Sequence, residues 1–178
     1  SVLVETPGAV HDAWDIAALP GVVSLDFGLL DFISAHHGAI PAAAMTSPGQ
    51  FEHPLVVRAK TEVTAAALAH GVVPAHNITR ALDHPATAFG DARRARDDFG
   101  FLRMWSIHPS QIDPIVDAMR PTAVEVEQAQ AIIAAAQDAA WGPLALDGEM
   151  HDRASYRLAF TTLKRAHAAG VPLSPRAA

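Results

Sequence analysis

Residues 1–31, SVLVETPGAVHDAWDIAALPGVVSLDFGLLD, set the reading of the whole chain. Val2, Leu3 and Val4 form a short apolar run that stops at Glu5, and Thr6, Pro7 and Gly8 turn the chain into a helical stretch around His11 to Leu19, stopped by Pro20-Gly21. A second apolar run, Val22 to Phe27, ends in Gly28-Leu29-Leu30-Asp31. Near-continuous apolar strands alternating with helices are the pattern of a parallel sheet whose faces are covered. Both strands deliver an acid at the carboxyl end, about one strand–helix–strand repeat apart.

The alternation continues. A long loop spans about His36 to His53, and Leu55 to His70 reads as a helix with Leu55, Ala59, Val63, Ala66 and Ala67 on one stripe, closed by Gly71. Val72 to Ala75 is the third strand, Pro85 to Phe99 the third helix, closed by Gly100, and Leu102 to Ile107 the fourth strand, leaving His108-Pro109 at its end. Four strand–helix units amount to half of a (β/α)₈ barrel, here residues 1–120. After Pro121 the character changes: Thr122-Ala123-Val124-Glu125 reads as a capping box opening an Ala-rich helix to about Ala140. WGPLALDGEMHD then connects to a last helix from Arg153 to Ala169. No strand is expected in 121–178, which read as a helical extension with a frayed PLSPRAA end. The chain opens inside a strand and without Met, so it is expected to be a processed product or a piece of a longer protein.

Composition narrows the function classes. A chain of 178 residues can bury a core of ordinary domain size, and no apolar run reaches the roughly 20 residues of a membrane span. A formal charge of −6, from 19 acidic and 13 basic residues, opposes binding to nucleic-acid phosphates. Arg93-Arg94-Ala95-Arg96, flanked by Asp91, Asp97 and Asp98, reads as a solvated helix face. The absence of cysteine removes disulfides and Cys-based zinc sites and fits a cytoplasmic location. None of the ten histidines has H-E-x-x-H spacing, and most read as surface or loop residues, with His108 at a strand end the exception. Ser24, Ser34 and Ser106 lack a G-x-S-x-G setting, no phosphate-binding Gly-rich loop is present, and Trp14, Trp105 and Trp141 read as packing residues.

In barrels of this kind the carboxyl ends of the strands converge on the face that carries the active site. Glu5 and Asp31 would offer two hard oxygen ligands there, leaving other positions to water and substrate, as Mg²⁺ prefers. Spacing alone also permits the plainer roles of helix cap or loop ion-pair partner. Asp26, inside its strand, is assigned a structural pairing.

The stretches LVETPGAV…DIAALPGVVSLDFGLLDF, GFLRMWSIHPSQI and DGEMHDRASYRLA resemble the carboxyl-terminal half of the citrate lyase β-subunit-like branch of the HpcH/HpaI aldolase family, from Val2 to about Ala169. The resemblance implies a (β/α)₈ barrel with a carboxyl-terminal helical extension, and Mg²⁺-dependent cleavage or formation of C–C bonds beside an acyl-CoA thioester or in small keto acids. It assigns Glu5 and Asp31 to the metal and Thr6, Pro7, Gly28, Leu29, Leu30, Ile107, His108 and Pro109 to the substrate. Asp152 becomes the acid–base residue, carried by the extension into a neighbouring subunit's site. Leu29-Leu30 stand where relatives commonly have a small polar pair, so contacts there would come from backbone N–H groups. His76-Asn77 stand where many relatives have an acid.

The resulting expectation is a Mg²⁺-dependent carbon–carbon lyase. It would split a short 3-hydroxyacyl-CoA, such as (S)-citramalyl-CoA or malyl-CoA, into acetyl-CoA and pyruvate or glyoxylate. Asp152 would exchange the proton at the acetyl methyl carbon, helped by partial burial. The expected partners are an amino-terminal half-barrel and further copies in a homo-oligomer, a trimer or hexamer, with no nucleic acid and no membrane. The alternatives are an aldolase acting on a free hydroxy-keto acid and a non-catalytic assembly module.

Overall fold

A computed structural model describes residues 1–174, which fall into two compact units, one from Ser1 to Met119 and one that begins at Arg120. Most of the PLSPRAA end lies outside the described residues.

The first unit is an α/β structure. Strands β1 (Val2–Val4), β2 (Ser24–Phe27), β3 (Val73–His76) and β4 (Arg103–Met104) form one sheet in sequence order, every neighbouring pair parallel. Between and after them run α1 (Pro7–His11), α2 (Ala13–Ala18), α3 (Leu29–Ser34), α4 (Pro54–Ala69), α5 (Pro85–Phe99) and α6 (Ile112–Met119). The expected first helix is thus two short ones meeting at Asp12, and α3 and α6 are additions to the sequence reading.

Register sorts the side chains into two faces. Leu3, Asp26, Ala75 and Arg103 lie side by side on one. On the other, Val4 lies beside Phe27 and His76 beside Met104, and there α4 covers the sheet, with Lys60 touching His76. Val4, Leu25, Phe27 and Phe101 are at most 2% exposed, each contributing on the order of 1.5–3 kcal/mol by leaving water. On α4 the buried stripe is Val56, Ala59, Lys60, Val63, Ala66 and Ala67, whereas Leu55 is 40% exposed. The apolar pattern therefore placed Ala59, Val63, Ala66 and Ala67 correctly, took exposed Leu55 where Val56 is buried, and overlooked a lysine inside the stripe.

Strand β4 is two residues long instead of six. Trp105 N still bonds His76 O at 3.1 Å, but Ile107 N is taken by Gln111 Oε1 at 3.2 Å, and the chain leaves the sheet. The tryptophans correct their assignment as packing residues, since Trp14, Trp105 and Trp141 are 40–56% exposed. Asp26, buried, accepts a hydrogen bond from Ser24 Oγ, the pairing role expected of it.

The second unit packs α7 (Ala123–Asp138) against α8 (Arg153–Ala168) through Val126, Ala129, Ile133, Ala159, Leu163 and Ala166. The Thr122–Glu125 capping box is present in both directions, Glu125 N to Thr122 Oγ1 at 3.2 Å and Thr122 N to Glu125 Oε2 at 2.6 Å. The expectation of no strand here is overturned. Strands β5 (Leu144–Leu146) and β6 (Glu149–His151) pair antiparallel across Asp147-Gly148. Both turn residues have positive φ, 51° and 83°, the type I′ geometry that Asp-Gly favours because glycine takes it without strain. No described helix is long and apolar enough to cross a membrane.

Candidate active site at the strand ends

Because all four strands run in parallel, their carboxyl ends share one edge of the sheet, and the segments following them meet there. The segment after β1 is Glu5-Thr6-Pro7. Thr6 is the N-cap of α1, its Oγ1 accepting from Ala9 N at 3.1 Å, and Pro7 occupies the first helical position, where a missing N–H costs nothing. Glu5 is half-buried and continues the row of Leu3 on the face away from α4.

Gly28 follows β2 and donates its N–H to Val4 O at 2.9 Å. A Cβ at Gly28 would sit 2.5 Å from Glu5 Cβ and 3.0 Å from Glu5 Oε2. Only the absence of a side chain lets the Glu5 carboxylate lie against the β2 terminus. Asp31 stands one helical step further, in the first turn of α3, and is exposed. Among the described residues neither the Glu5 nor the Asp31 carboxylate has a side-chain hydrogen bond or ion pair, and no three His, Asp or Glu side chains gather as a metal site. The donor set is two free carboxylates at the ends of adjacent strands.

Leu29 is a core side chain, 2% exposed, and Leu30 is half-buried. Any contact to a ligand there falls to the backbone. Ile107, His108 and Pro109 are exposed after β4. His108 caps the short 3₁₀ turn that follows, its Nδ1 2.8 Å from Ser110 Oγ, and Ser110 Oγ donates to Leu82 O at 3.0 Å. Gln111, completely buried, accepts from Ile107 N and donates to Thr79 O at 2.8 Å, joining the segments after β3 and β4.

Asp152 belongs to the second unit. It is half-buried and caps α8: Oδ1 accepts from Ala154 N at 2.8 Å, and its own N–H donates to Ser155 Oγ at 3.0 Å. This carboxylate therefore has a structural task whatever else it does.

The residues whose roles the sequence reading missed lie beneath the strand ends. Lys60 and His76 are fully buried, with Lys60 Nζ 2.8 Å from His76 Nε2 and 3.1 Å from Gln50 Oε1. Gln50 Nε2 donates to Asp91 Oδ2 at 3.1 Å, Thr79 Oγ1 to the same oxygen at 2.5 Å, and Ser47 Oγ to Asp91 Oδ1. Asn77 Nδ2 donates to Gln50 Oε1 at 2.9 Å. Asp91 is thus no part of a solvated acidic flank, and His76 is no surface histidine. Burial lowers the Lys60 ammonium well below the usual lysine range, Asp91 opposing this and Arg94 adding to it. Burial, then the nearby Lys60 charge, likewise lowers the His76 pKa, with the Asn77 carbonyl opposing. A lysine within the apolar stripe of a helix was the available signal.

No protein-family model matches the chain. A citrate lyase from Burkholderia xenovorans LB400 of known crystal structure is 52% identical with a TM-score of 0.90, covering 98% of this chain and 55% of that one. CitE from Mycobacterium tuberculosis, crystallised with magnesium, acetoacetate and coenzyme A, is 27% identical with a TM-score of 0.79, covering 93% of this chain and 60% of its own. A citrate lyase subunit beta-like protein of Deinococcus radiodurans is 29% identical over 163 residues, 90% of this chain and 54% of that protein. Over nearly its whole length, then, the chain is similar to a citrate lyase and to a citrate lyase subunit beta-like protein, and it spans a little over half of their length.

Proposed function

We propose that this chain contributes the metal-binding strands of a Mg²⁺-dependent carbon–carbon lyase, acting on a short 3-hydroxyacyl-CoA of the citramalyl-CoA or malyl-CoA kind. The observation that carries the reading is the pair of unengaged carboxylates, Glu5 and Asp31, at the carboxyl ends of adjacent parallel strands. Support comes from similar Mycobacterium tuberculosis proteins crystallised with magnesium, one together with acetoacetate and coenzyme A, others with oxaloacetate or with pyruvate. Because the chain spans about half of those proteins, a further set of strand–helix units completing the barrel is part of the proposal. So is assembly into a homo-oligomer. The lack of cysteine fits a reducing compartment such as the cytoplasm.

Two hard carboxylate oxygens, with remaining positions left to water and substrate, suit Mg²⁺, and Glu5 and Asp31 would hold it. When bound, such an ion supplies Lewis-acid stabilisation of a developing alkoxide and a template for the hydroxy acid. Gly28 keeps the Glu5 carboxylate at the strand end. The Thr6-Pro7 start of α1, the backbone from Gly28 to Leu30 and the Ile107-His108-Pro109 segment would line the acyl group. Asp152 would move the proton at the acetyl carbon.

Calorimetric Mg²⁺ titration, followed by an assay of acetyl-CoA release from citramalyl-CoA and malyl-CoA with Mg²⁺ or EDTA, tests the reading. Absence of Mg²⁺ binding would sink it. Turnover of a free hydroxy-keto acid but of neither thioester would replace it with an aldolase.

A further inference from the structure

The polar network under the strand ends has no place in that reaction, yet it is the most heavily connected part of the first unit. Its members come from five separate places: Ser47 and Gln50 from the loop between α3 and α4, Lys60 from α4, His76 and Asn77 from the end of β3, Thr79 from the loop after β3, and Asp91 from α5. All but Ser47 are at most 4% exposed. The loop before α4 holds two short 3₁₀ turns, Ala42–Met45 and Gly49–Phe51, and its backbone hydrogen bonds, such as Gln50 N to Thr46 O and His53 N to Gly49 O at 2.9 Å, are local and shape the loop without tying it to β3 or α5. Its position depends on what the buried side chains grip.

The hydrogen bonds decide where the protons are. His76 Nδ1 lies 3.0 Å from Asn77 O. A carbonyl only accepts, so Nδ1 carries a hydrogen. In the neutral ring Nε2 is then an acceptor, and it faces Lys60 Nζ at 2.8 Å. Were Nε2 also protonated, its N–H would point at an ammonium, so the pair can hold one positive charge and not two. Among the described residues no carboxylate touches that charge. Gln50 relays it, accepting from Lys60 and donating to Asp91. Around the pair lie the rings of Phe51, stacked on His76 with its centroid 4.1 Å from Nζ, and of Phe99 and Phe101, with the Arg94 guanidinium of α5 over Phe51 at 4.8 Å.

We propose that Lys60 and His76, joined over a single positive charge, are a positioning pair that locks the loop 42–53 and the segment 77–82 to the end of β3, and that a second proton on the pair unlocks them. These segments neighbour the candidate active site, but the proposal concerns their placement and stands without the reaction above. The lock holds while His76 is neutral. On acidification the imidazolium and the ammonium repel, the Lys60–His76 bond opens, and Gln50 loses its anchored donor.

The test uses the full chain, with the ring ¹⁵N signals of His76 and the amide hydrogen exchange of 42–53 and 77–82 followed from about pH 8 to about pH 5. The expected result is a His76 that stays in the Nδ1–H form through its ordinary titration range, near about pH 6.5. When it does gain a second proton, exchange in both segments rises at least tenfold at the same pH, with α7 and α8 unchanged. Lys60→Met should raise exchange in 42–53 by a similar factor already at about pH 8. A His76 that titrates at the ordinary value with the loop still protected overturns the proposal. So does a folded Lys60→Met chain whose loop exchange stays within twofold of wild type. The wild-type titration decides the matter even if that variant does not fold.

Discussion

Glu5 occupies the space that a side chain at position 28 would fill: a Cβ there would approach Glu5 Cβ to 2.5 Å. The contact is with the root of the glutamate, next to its backbone, so no rotation of the carboxylate relieves it. Gly28 has φ −96°, a value any residue adopts, so the requirement is for space alone. Gly28→Ala should therefore cost about 1–3 kcal/mol through overpacking and shift the Glu5 carboxylate. Urea unfolding checks the first effect, and Mg²⁺ titration of the folded fraction checks the second. Unchanged values for both would mean that β1 and β2 part easily.

Glu5→Gln and Asp31→Asn remove one charged ligand each while keeping size. Neither carboxylate supports the fold through a side-chain partner among the described residues, so stability should stay within about 0.5 kcal/mol. Mg²⁺ affinity should fall at least tenfold, about 1.4 kcal/mol. Calorimetry on the two variants separates a metal role from a structural one, since a cap or ion-pair role would reverse the pattern.

Asp152 has two candidate tasks, and substitution can divide them. Asn caps a helix as well as Asp does, so Asp152→Asn should leave the stability of the second unit nearly unchanged. Asp152→Ala should cost about 0.5–2 kcal/mol. If Asp152 moves a proton in the reaction, both variants lose about 10²–10⁴-fold in turnover. Full turnover in Asp152→Asn would leave the residue as the cap of α8 and nothing more.

The buried Lys60 and His76 make stability depend on pH with a definite sign. Both folded-state pKa values lie below their unfolded values, so the unfolded chain binds more protons in the windows between them. Stability therefore rises with pH toward about 10.4 on account of Lys60, and falls as pH drops below about 6.5 on account of His76. Urea midpoints at about pH 7 and about pH 9.5 should increase in the wild-type chain. Lys60→Met, similar in volume and uncharged, should flatten that alkaline rise. A wild-type midpoint that falls over this interval would contradict a Lys60 whose pKa burial lowers.

Sequence by itself determined the order of the four parallel strands and of the long helices α4, α5, α7 and α8. Apolar runs closed by Glu5 and by Gly28, the helix bounded by Pro85 and Gly100, and the Thr122–Glu125 cap are local patterns, and local sterics and hydrogen bonds decide them. The Asp147-Gly148 hairpin was equally local, but strands of three residues carry too little alternation to announce themselves. Tertiary structure alone decided the rest. The early end of β4 follows from Gln111 capturing the Ile107 N–H, a bond that no pattern in 102–107 records. The burial of Lys60 follows from His76 lying 16 positions further along the chain. A lysine joins an apolar stripe only when distant partners take its donors, and that compensation exists only once the chain has folded.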